Sequence, residues 1–185
     1  MTKDTIIIID TEYGFIGKFK QILEDQLLTD KYQICTIIPN INLDTEQLIK
    51  YCFIEVEKTI NTAKICGIFV DIVIVEGSGR PLDTIDTTGI NIASNLKMHF
   101  PNIPIYNITS YFGVQDTDII SEATLEDIDG VLVKDYLVGK NFSPKRLNNI
   151  FQKSIIKRGK YKSESIQSIG TTITETVRTA FNFNS

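Results

Sequence analysis

The sequence has few of the residues that bind metals through sulfur or nitrogen. Among 185 residues there are three cysteines and one histidine. Cys35, Cys52 and Cys66 show no CxxC spacing, and His99 is isolated. A structural zinc site needs about four clustered ligands, so this class of site is excluded. We interpret the cysteines as buried free thiols, which are typical of a reducing compartment.

Long apolar runs and an excess of basic charge are also absent. No run approaches the ~20 residues of a membrane-spanning helix, and the first residues lead directly into a strand pattern. We therefore expect no membrane span, no signal peptide and a cytoplasmic location. The net charge of −4 argues against nucleic-acid binding through a basic surface. The apolar content of 42% is that of a globular protein with a real core.

The chain does contain a regular alternation of strand and helix patterns. Strands are predicted at residues 6–10, 32–38, 71–76, 104–109 and 130–134. Helical spacing is found at residues 15–27, 44–60 with Asp44 as N-cap, 89–100, more weakly 116–127, and from Ser143-Pro144 onward. Five such alternations predict an α/β fold with a doubly wound parallel sheet and helices on both faces. We assign residues 1–158 to this domain and 159–185 to a Ser/Thr-rich C-terminal tail.

Polar side chains stand where the predicted strands end. Asp10 and Glu12 follow the first strand, Glu76 ends the third, Thr109 the fourth and Lys134 the fifth. The carboxyl ends of parallel strands meet at one edge of the sheet, so we expect these groups to lie together. Carboxylates of this kind bind Mg²⁺, while hydroxyl and ammonium groups bind phosphoryl oxygens.

With these residues the chain resembles a response-regulator receiver domain, the CheY-like fold of two-component signal transduction, over residues 5–157. The segment IIIIDTEYGFIGKFKQILE resembles the acidic opening of that family. The segment TTGINIASNLKMHFPNIPIYNITSY resembles its third helix and fourth strand, and the strand before Lys134 resembles its lysine strand. The resemblance implies the strand order 2-1-3-4-5. It also implies a protein partner, or a homodimer, on the face made by the fourth helix, fifth strand and fifth helix.

Residue by residue, the resemblance implies a degenerate phosphoacceptor pocket made of Asp10, Thr11, Glu12, Glu76, Thr109 and Lys134. Thr11 stands where a metal-binding acid is expected, and Glu76 stands where the phosphoacceptor aspartate is expected. Val131 replaces the aromatic switch residue, and Asp135 replaces the usual proline. A glutamate is one methylene longer than an aspartate, which displaces the nucleophile from its in-line position. The threonine removes one ligand and one negative charge from a Mg²⁺ site.

These departures favour a pseudo-receiver, a non-enzymatic signalling module that acts through protein–protein interaction. Glu76 would then lie near Lys134, either as a permanent mimic of a phosphorylated carboxylate or as a plain structural ion pair. We expect no cofactor beyond weak Mg²⁺ binding by Asp10 and Glu12.

Two alternatives remain. The first is a receiver phosphorylated on another acid, although Asp71 stands at the start of the predicted third strand and Asp83 and Asp86 stand in a loop. The second is a Mg²⁺-dependent phosphatase or nuclease that uses Asp10 and Glu12. The later acidic motifs of those enzymes are not found in the sequence. Flavin binding is disfavoured because the loop after the first strand is too acidic and bulky to hold a phosphate.

Overall fold

The computed structural model describes residues 3–26, 28–74, 87–110 and 128–139, together with Phe142, Lys145, Leu147, Asn149 and Ile150. The predicted helix at 116–127 and the tail at 159–185 lie outside these residues. Glu76, Asp83 and Asp86 also lie outside them.

Five parallel strands form one sheet in the order β2-β1-β3-β4-β5, which confirms the predicted fold class and strand order. The strands are β1 Asp4–Ile9, β2 Tyr32–Ile37, β3 Ile65–Asp71, β4 Ile105–Thr109 and β5 Gly130–Val133. The chain reverses its direction of winding at β1, which lies between β2 and β3. The carboxyl ends of β1 and β3 therefore border the crevice in which open α/β sheets place their sites.

Three helices connect successive strands, and a fourth, short helix follows β5. They are α1 Tyr13–Asp25, α2 Thr45–Ile60, α3 Thr88–His99 and the short α4 Lys134–Val138. Asp44 caps α2 as predicted, because its side chain accepts from the backbone of Gln47 while Gln47 bonds back to the cap residue. Within the described residues, no helix has the length and apolar character needed to cross a membrane.

The core lies on both faces of the sheet, because alternate side chains of each strand point to opposite sides. On one face Ile7 and Ile9 pack with residues of α2 and α3. On the other face Ile6 and Ile8 pack with residues of α1 and α4. All four isoleucines are fully buried, as expected for a central parallel strand. This packing fixes the height at which β1 delivers Asp10 to the sheet edge.

The predicted third strand was wrong in its position. The sequence analysis placed it at residues 71–76, whereas β3 runs from Ile65 to Asp71 and pairs with β1 and β4. Apolar residues lie on both sides of Asp71, so composition alone did not show which run entered the sheet. Asp71 therefore stands at the carboxyl end of its strand. The other strand ends shift by only a residue or two, and Lys134 begins α4 directly after β5.

Candidate functional site

Lys134 lies at the centre of a cluster of acidic side chains at the carboxyl edge of the sheet. Its Nζ is 2.9 Å from Asp10 Oδ2, 2.9 Å from Asp71 Oδ2 and 3.0 Å from Glu12 Oε2. The lysine side chain is only 5% exposed, and its ammonium lies 5.2 Å from the ring centroid of Phe15. One cation thus compensates three carboxylates delivered by two strands and the loop that follows β1.

The β1 end supplies two of the carboxylates. Asp10 is completely buried, and its Oδ1 accepts a 2.7 Å hydrogen bond from the backbone N–H of Glu12. Its Oδ2 is buried and forms an ion pair with the Lys134 ammonium, and among the described residues no other group hydrogen-bonds to it. Thr11, between the two acids, carries a hydroxyl and adds no charge to the cluster.

Asp71 supplies the third carboxylate. It is 9% exposed, and Lys134 Nζ donates a 2.9 Å hydrogen bond to its Oδ2. Burial raises the pKa of Asp71 from 3.8 to about 7, and repulsion from Asp10 adds to the rise, while Lys134 and the N–H of Val73 oppose it. The pKa of Lys134 is itself raised: burial lowers it, but attraction to Asp71 and Asp10 outweighs that effect.

The backbone that carries Asp71 packs directly against the start of α3. The N–H of Gly89 donates a 3.1 Å hydrogen bond to the carbonyl oxygen of Ile72. Asn107, fully buried on β4, donates through Nδ2 to the carbonyl oxygens of Val70 and Gly89, each at 3.2 Å. The end of β3, the start of α3 and the middle of β4 are therefore tied together around the Asp71 peptide.

The predicted site residues are brought together in part. Asp10, Glu12 and Lys134 meet as expected, and Thr109 ends β4 beside the β5 residue that precedes Lys134. Glu76, predicted at the phosphoacceptor position, lies outside the described residues, and the strand that should have carried it ends at Asp71. Sequence analysis missed the central place of Asp71. The signal was present, because Ile68-Phe69-Val70 leads into Asp71 as the isoleucine run leads into Asp10.

A magnesium ion fits two of these carboxylates. The buried Oδ2 of Asp10 is paired with the Lys134 ammonium alone among the described residues, and the Asp71 carboxylate lies close enough to repel the Asp10 carboxylate. Mg²⁺ commonly uses one or two carboxylates and several waters, so this pair is a suitable donor set. Within the described ranges, no group of three or more Asp, Glu, His or Cys side chains has the arrangement of a metal site. The predicted role of Glu12 as a metal ligand stays a prediction.

No protein-family model matches the chain. No curated protein matches it in sequence. Among solved structures, the RcsB response regulator of Salmonella typhimurium matches with a TM-score of 0.53 and 15% identity, covering 85% of this chain and 67% of that one. A response regulator from Burkholderia pseudomallei, solved with a phosphorylated aspartic acid and a calcium ion, matches with a TM-score of 0.50 and 15% identity over 88% of this chain and 75% of that one.

The chain has the fold of a response-regulator receiver domain. A response regulator from Thermotoga maritima agrees, with a TM-score of 0.50 and 16% identity over 83% of this chain and 98% of that one. At such low identity the likeness establishes the receiver fold alone.

The raised pKa of Asp71 gives the domain a specific pH dependence. Between pH 4 and pH 7 the folded state holds a proton on Asp71 that the unfolded chain has released. The free energy of unfolding should therefore fall as the pH rises through this window and level off above it. Asp71→Asn removes this contribution. From pH 5 to pH 8 the free energy of unfolding of the wild type should therefore fall by roughly 2 kcal/mol more than that of the variant.

Urea unfolding at pH 5 and pH 8, with a chelator present, measures this difference. Asp25→Asn, at an exposed position of α1, controls for the loss of one acidic group. Equal losses of stability in the wild type and in Asp71→Asn would show that Asp71 titrates as an ordinary carboxyl group.

Proposed function

We propose that the protein is a signalling module that accepts a phosphoryl group on Asp71. The observation that carries the proposal is the position of this carboxylate at the end of β3, 2.9 Å from the buried ammonium of Lys134. This replaces the premise that a glutamate occupies the acceptor position, and it favours the alternative of a phosphorylatable receiver. The phosphorylated aspartic acid of the Burkholderia response regulator supports the same chemistry in this fold.

The step is a phosphoryl transfer from a reactive donor such as an acyl phosphate. A carboxylate oxygen of Asp71 attacks phosphorus, the bond between phosphorus and the donor oxygen breaks, and the donor leaves with that electron pair as a carboxylate. Lys134 pairs with the phosphoryl oxygens and stabilises their charge. Asp10 and Asp71 would hold Mg²⁺, which neutralises charge on the transferred group when it is bound.

The environment of Asp71 suits this role. A pKa of about 7 means that the carboxylate is a stronger base than an ordinary aspartate, yet it is largely ionised at pH 8. The peptide that carries it is held on the α3 side by Gly89 and Asn107, which limits the displacement of the nucleophile.

Incubation with acetyl phosphate and Mg²⁺, followed by intact-mass spectrometry, tests the proposal. The wild type should gain the mass of one phosphoryl group, and Asp71→Asn should reduce the labelled fraction at least about 100-fold because the nucleophile is gone. Asp4→Asn, on the same sheet but at the opposite end of β1, is the matched control and should label normally. Equal labelling of the wild type and Asp71→Asn would refute the assignment.

A silent receiver is the second candidate, and two features favour it. Thr11 adds no carboxylate to the cluster, and Lys134 is already paired with three acids in this structure. Such a domain would act through protein contacts without turnover of a phosphoryl group. The same labelling experiment separates the two, since a silent receiver stays unlabelled with or without Asp71.

In either case we propose a protein partner at the face that includes β5. A largely apolar cavity of about 250 Å³ opens beside this strand. It is lined by Val131, Leu132, Val133, Tyr136, Leu137, Phe142, Leu147 and Ile150. Tyr136 is 45% exposed and offers a ring to a partner at the rim. Loss of partner binding in a Tyr136→Ala variant that still accepts a phosphoryl group would support this face.

A further inference from the structure

The carboxylate of Glu12 bridges two hydrogen-bond donors at the mouth of the acidic cluster. Its Oε2 is 3.0 Å from Lys134 Nζ, and the hydroxyl of Ser110 donates to the same oxygen over 3.3 Å. Ser110 directly follows β4 and Lys134 directly follows β5, so the donors come from two neighbouring strand ends. The Glu12 side chain is 53% exposed, whereas Asp10 and Asp71 lie deeper.

The Glu12 carboxylate occupies the position beside Lys134 that a phosphoryl group on Asp71 would need. Glu12 Oε2 and Asp71 Oδ2 lie within 3.0 Å of the same ammonium. A phosphoryl oxygen that is attached through phosphorus to Asp71 and paired with Lys134 therefore competes with Glu12 for that cation. An ammonium and a hydroxyl are also the donors that bind phosphoryl oxygens at neutral pH.

The side chain of Glu12 can move away from Lys134 without disturbing the fold. The backbone of Glu12 stays in place, because its N–H donates to Asp10 Oδ1 over 2.7 Å and its carbonyl oxygen accepts from Ile16 over 3.2 Å. It stands at the N-cap of α1, yet its side chain makes no capping hydrogen bond there. Only the half-exposed side chain would have to rotate into water, and exposed ion pairs of this type contribute little to stability.

We infer that Glu12 is an internal competitor for the phosphoryl site: it fills the anion position between Lys134 and Ser110 and is displaced when Asp71 receives its phosphoryl group. This inference rests on the proposed function. Glu12 would then control how readily the pocket binds a tetrahedral anion. This role would also explain why the Glu12 carboxylate neither caps α1 nor lies in the core.

Beryllofluoride with Mg²⁺ is the direct probe, because it forms a tetrahedral adduct on an acceptor carboxylate. Glu12→Gln should raise the affinity of the protein for beryllofluoride roughly threefold to tenfold, and acetyl phosphate should label it faster by a similar factor. Glu12→Asp keeps the charge but is one methylene shorter and cannot hold both contacts. It should therefore gain affinity as well, which a general charge effect would not produce.

A second readout needs neither metal nor phosphoryl donor. In the metal-free protein, Glu12→Gln should shift the ¹³Cε resonance of Lys134, since one of the carboxylates that contact the ammonium is lost. Glu24→Gln, at an exposed position farther along α1, should leave that resonance and the beryllofluoride affinity unchanged. A third readout uses beryllofluoride with Mg²⁺ on the wild type: the carboxyl resonance of Glu12 should move as the side chain enters water.

The outcomes separate this inference from the proposed function. If the wild type binds beryllofluoride and both Glu12 variants bind it equally or more weakly, Glu12 is not a competitor, and the phosphoacceptor role of Asp71 stands. If neither the wild type nor Glu12→Gln binds it, the phosphoacceptor proposal fails and the inference fails with it. Tighter beryllofluoride binding by both Glu12 variants supports the phosphoacceptor role of Asp71 and the competitor role of Glu12.

Discussion

Gly89→Ala should destabilise the protein by roughly 3 kcal/mol, because there is no space for a side chain at this position. A Cβ atom on Gly89 would overlap the carbonyl oxygen of Asp71 and would lie 2.7 Å from that of Ile72. These neighbours are backbone atoms, so they cannot rotate away as a side chain could. The start of α3 would have to move off β3, and the hydrogen bond from Gly89 to Ile72 would be broken.

Urea or thermal unfolding measures the loss. Gly17→Ala is the matched control, since Gly17 is an exposed glycine inside α1 whose Cβ would meet nothing within 4 Å. In that helix the extra methyl group should stabilise by about 0.5–1 kcal/mol. The two substitutions are chemically identical, so opposite signs would isolate the contact with the Asp71 peptide. A small or stabilising effect of Gly89→Ala would mean that α3 and β3 are less tightly packed than the structure shows.

The same substitution has a functional consequence under the proposed function. Because Gly89 touches the peptide of Asp71, a variant that folds at low temperature should place the acceptor carboxylate incorrectly. Labelling by acetyl phosphate should fall about tenfold or more even in the fully folded fraction. Reduced labelling of the folded fraction would show that Gly89→Ala misplaces the acceptor carboxylate, and not merely that it unfolds the protein.

The fold could be predicted from the sequence because its signal is repeated along the whole chain. Each buried strand is a short apolar run, and each is followed by a segment with helical spacing. An error at one strand does not alter the order of the elements. The N-cap at Asp44 was also readable, because capping depends on residues close in sequence.

The identity of the acid on β3 was harder to read, since Asp71 interrupts a long apolar stretch. Strand pairing decides which part of that stretch enters the sheet: Val70 pairs with Asn107 and Asp71 with Ile108, so the strand ends there. These partners are distant in sequence, and no local pattern reveals them. A shift of the strand along the sequence was enough to assign the acceptor position to Glu76.

The contacts of Glu12 and Asn107 could not be read from the sequence either. Glu12 meets Ser110 and Lys134, which are on different strand ends. Asn107 lies in an apolar strand, and only the three-dimensional structure shows that it bonds to Val70 and Gly89. Composition and periodicity predict which groups reach the sheet edge, but they do not predict which group bonds to which.

Lys134→Met should destabilise the protein by about 3–5 kcal/mol at pH 8, because it removes the cation from a buried cluster of acids. Methionine fills a similar volume, so the loss reports charge more than packing. Asp10 and Asp71 would remain buried at short range without a cation, so the folded state must either hold both negative charges or take up a proton on Asp71. The loss should be smaller at pH 5, since the pKa of Asp71 is already about 7 with the lysine present and rises further without it.

Unfolding experiments on three further samples establish the cause. Lys58→Met removes a lysine whose side chain is 65% exposed, so it should change the stability by less than about 1 kcal/mol. Lys134→Met combined with Asp71→Asn should recover much of the lost stability, because one of the two buried charges is gone. Millimolar Mg²⁺ should also stabilise Lys134→Met if Asp10 and Asp71 bind the ion, since a cation that binds only the folded state raises the free energy of unfolding. If neither the second substitution nor Mg²⁺ restores stability, the loss comes from packing around Lys134, and the cluster is not held together by its charge.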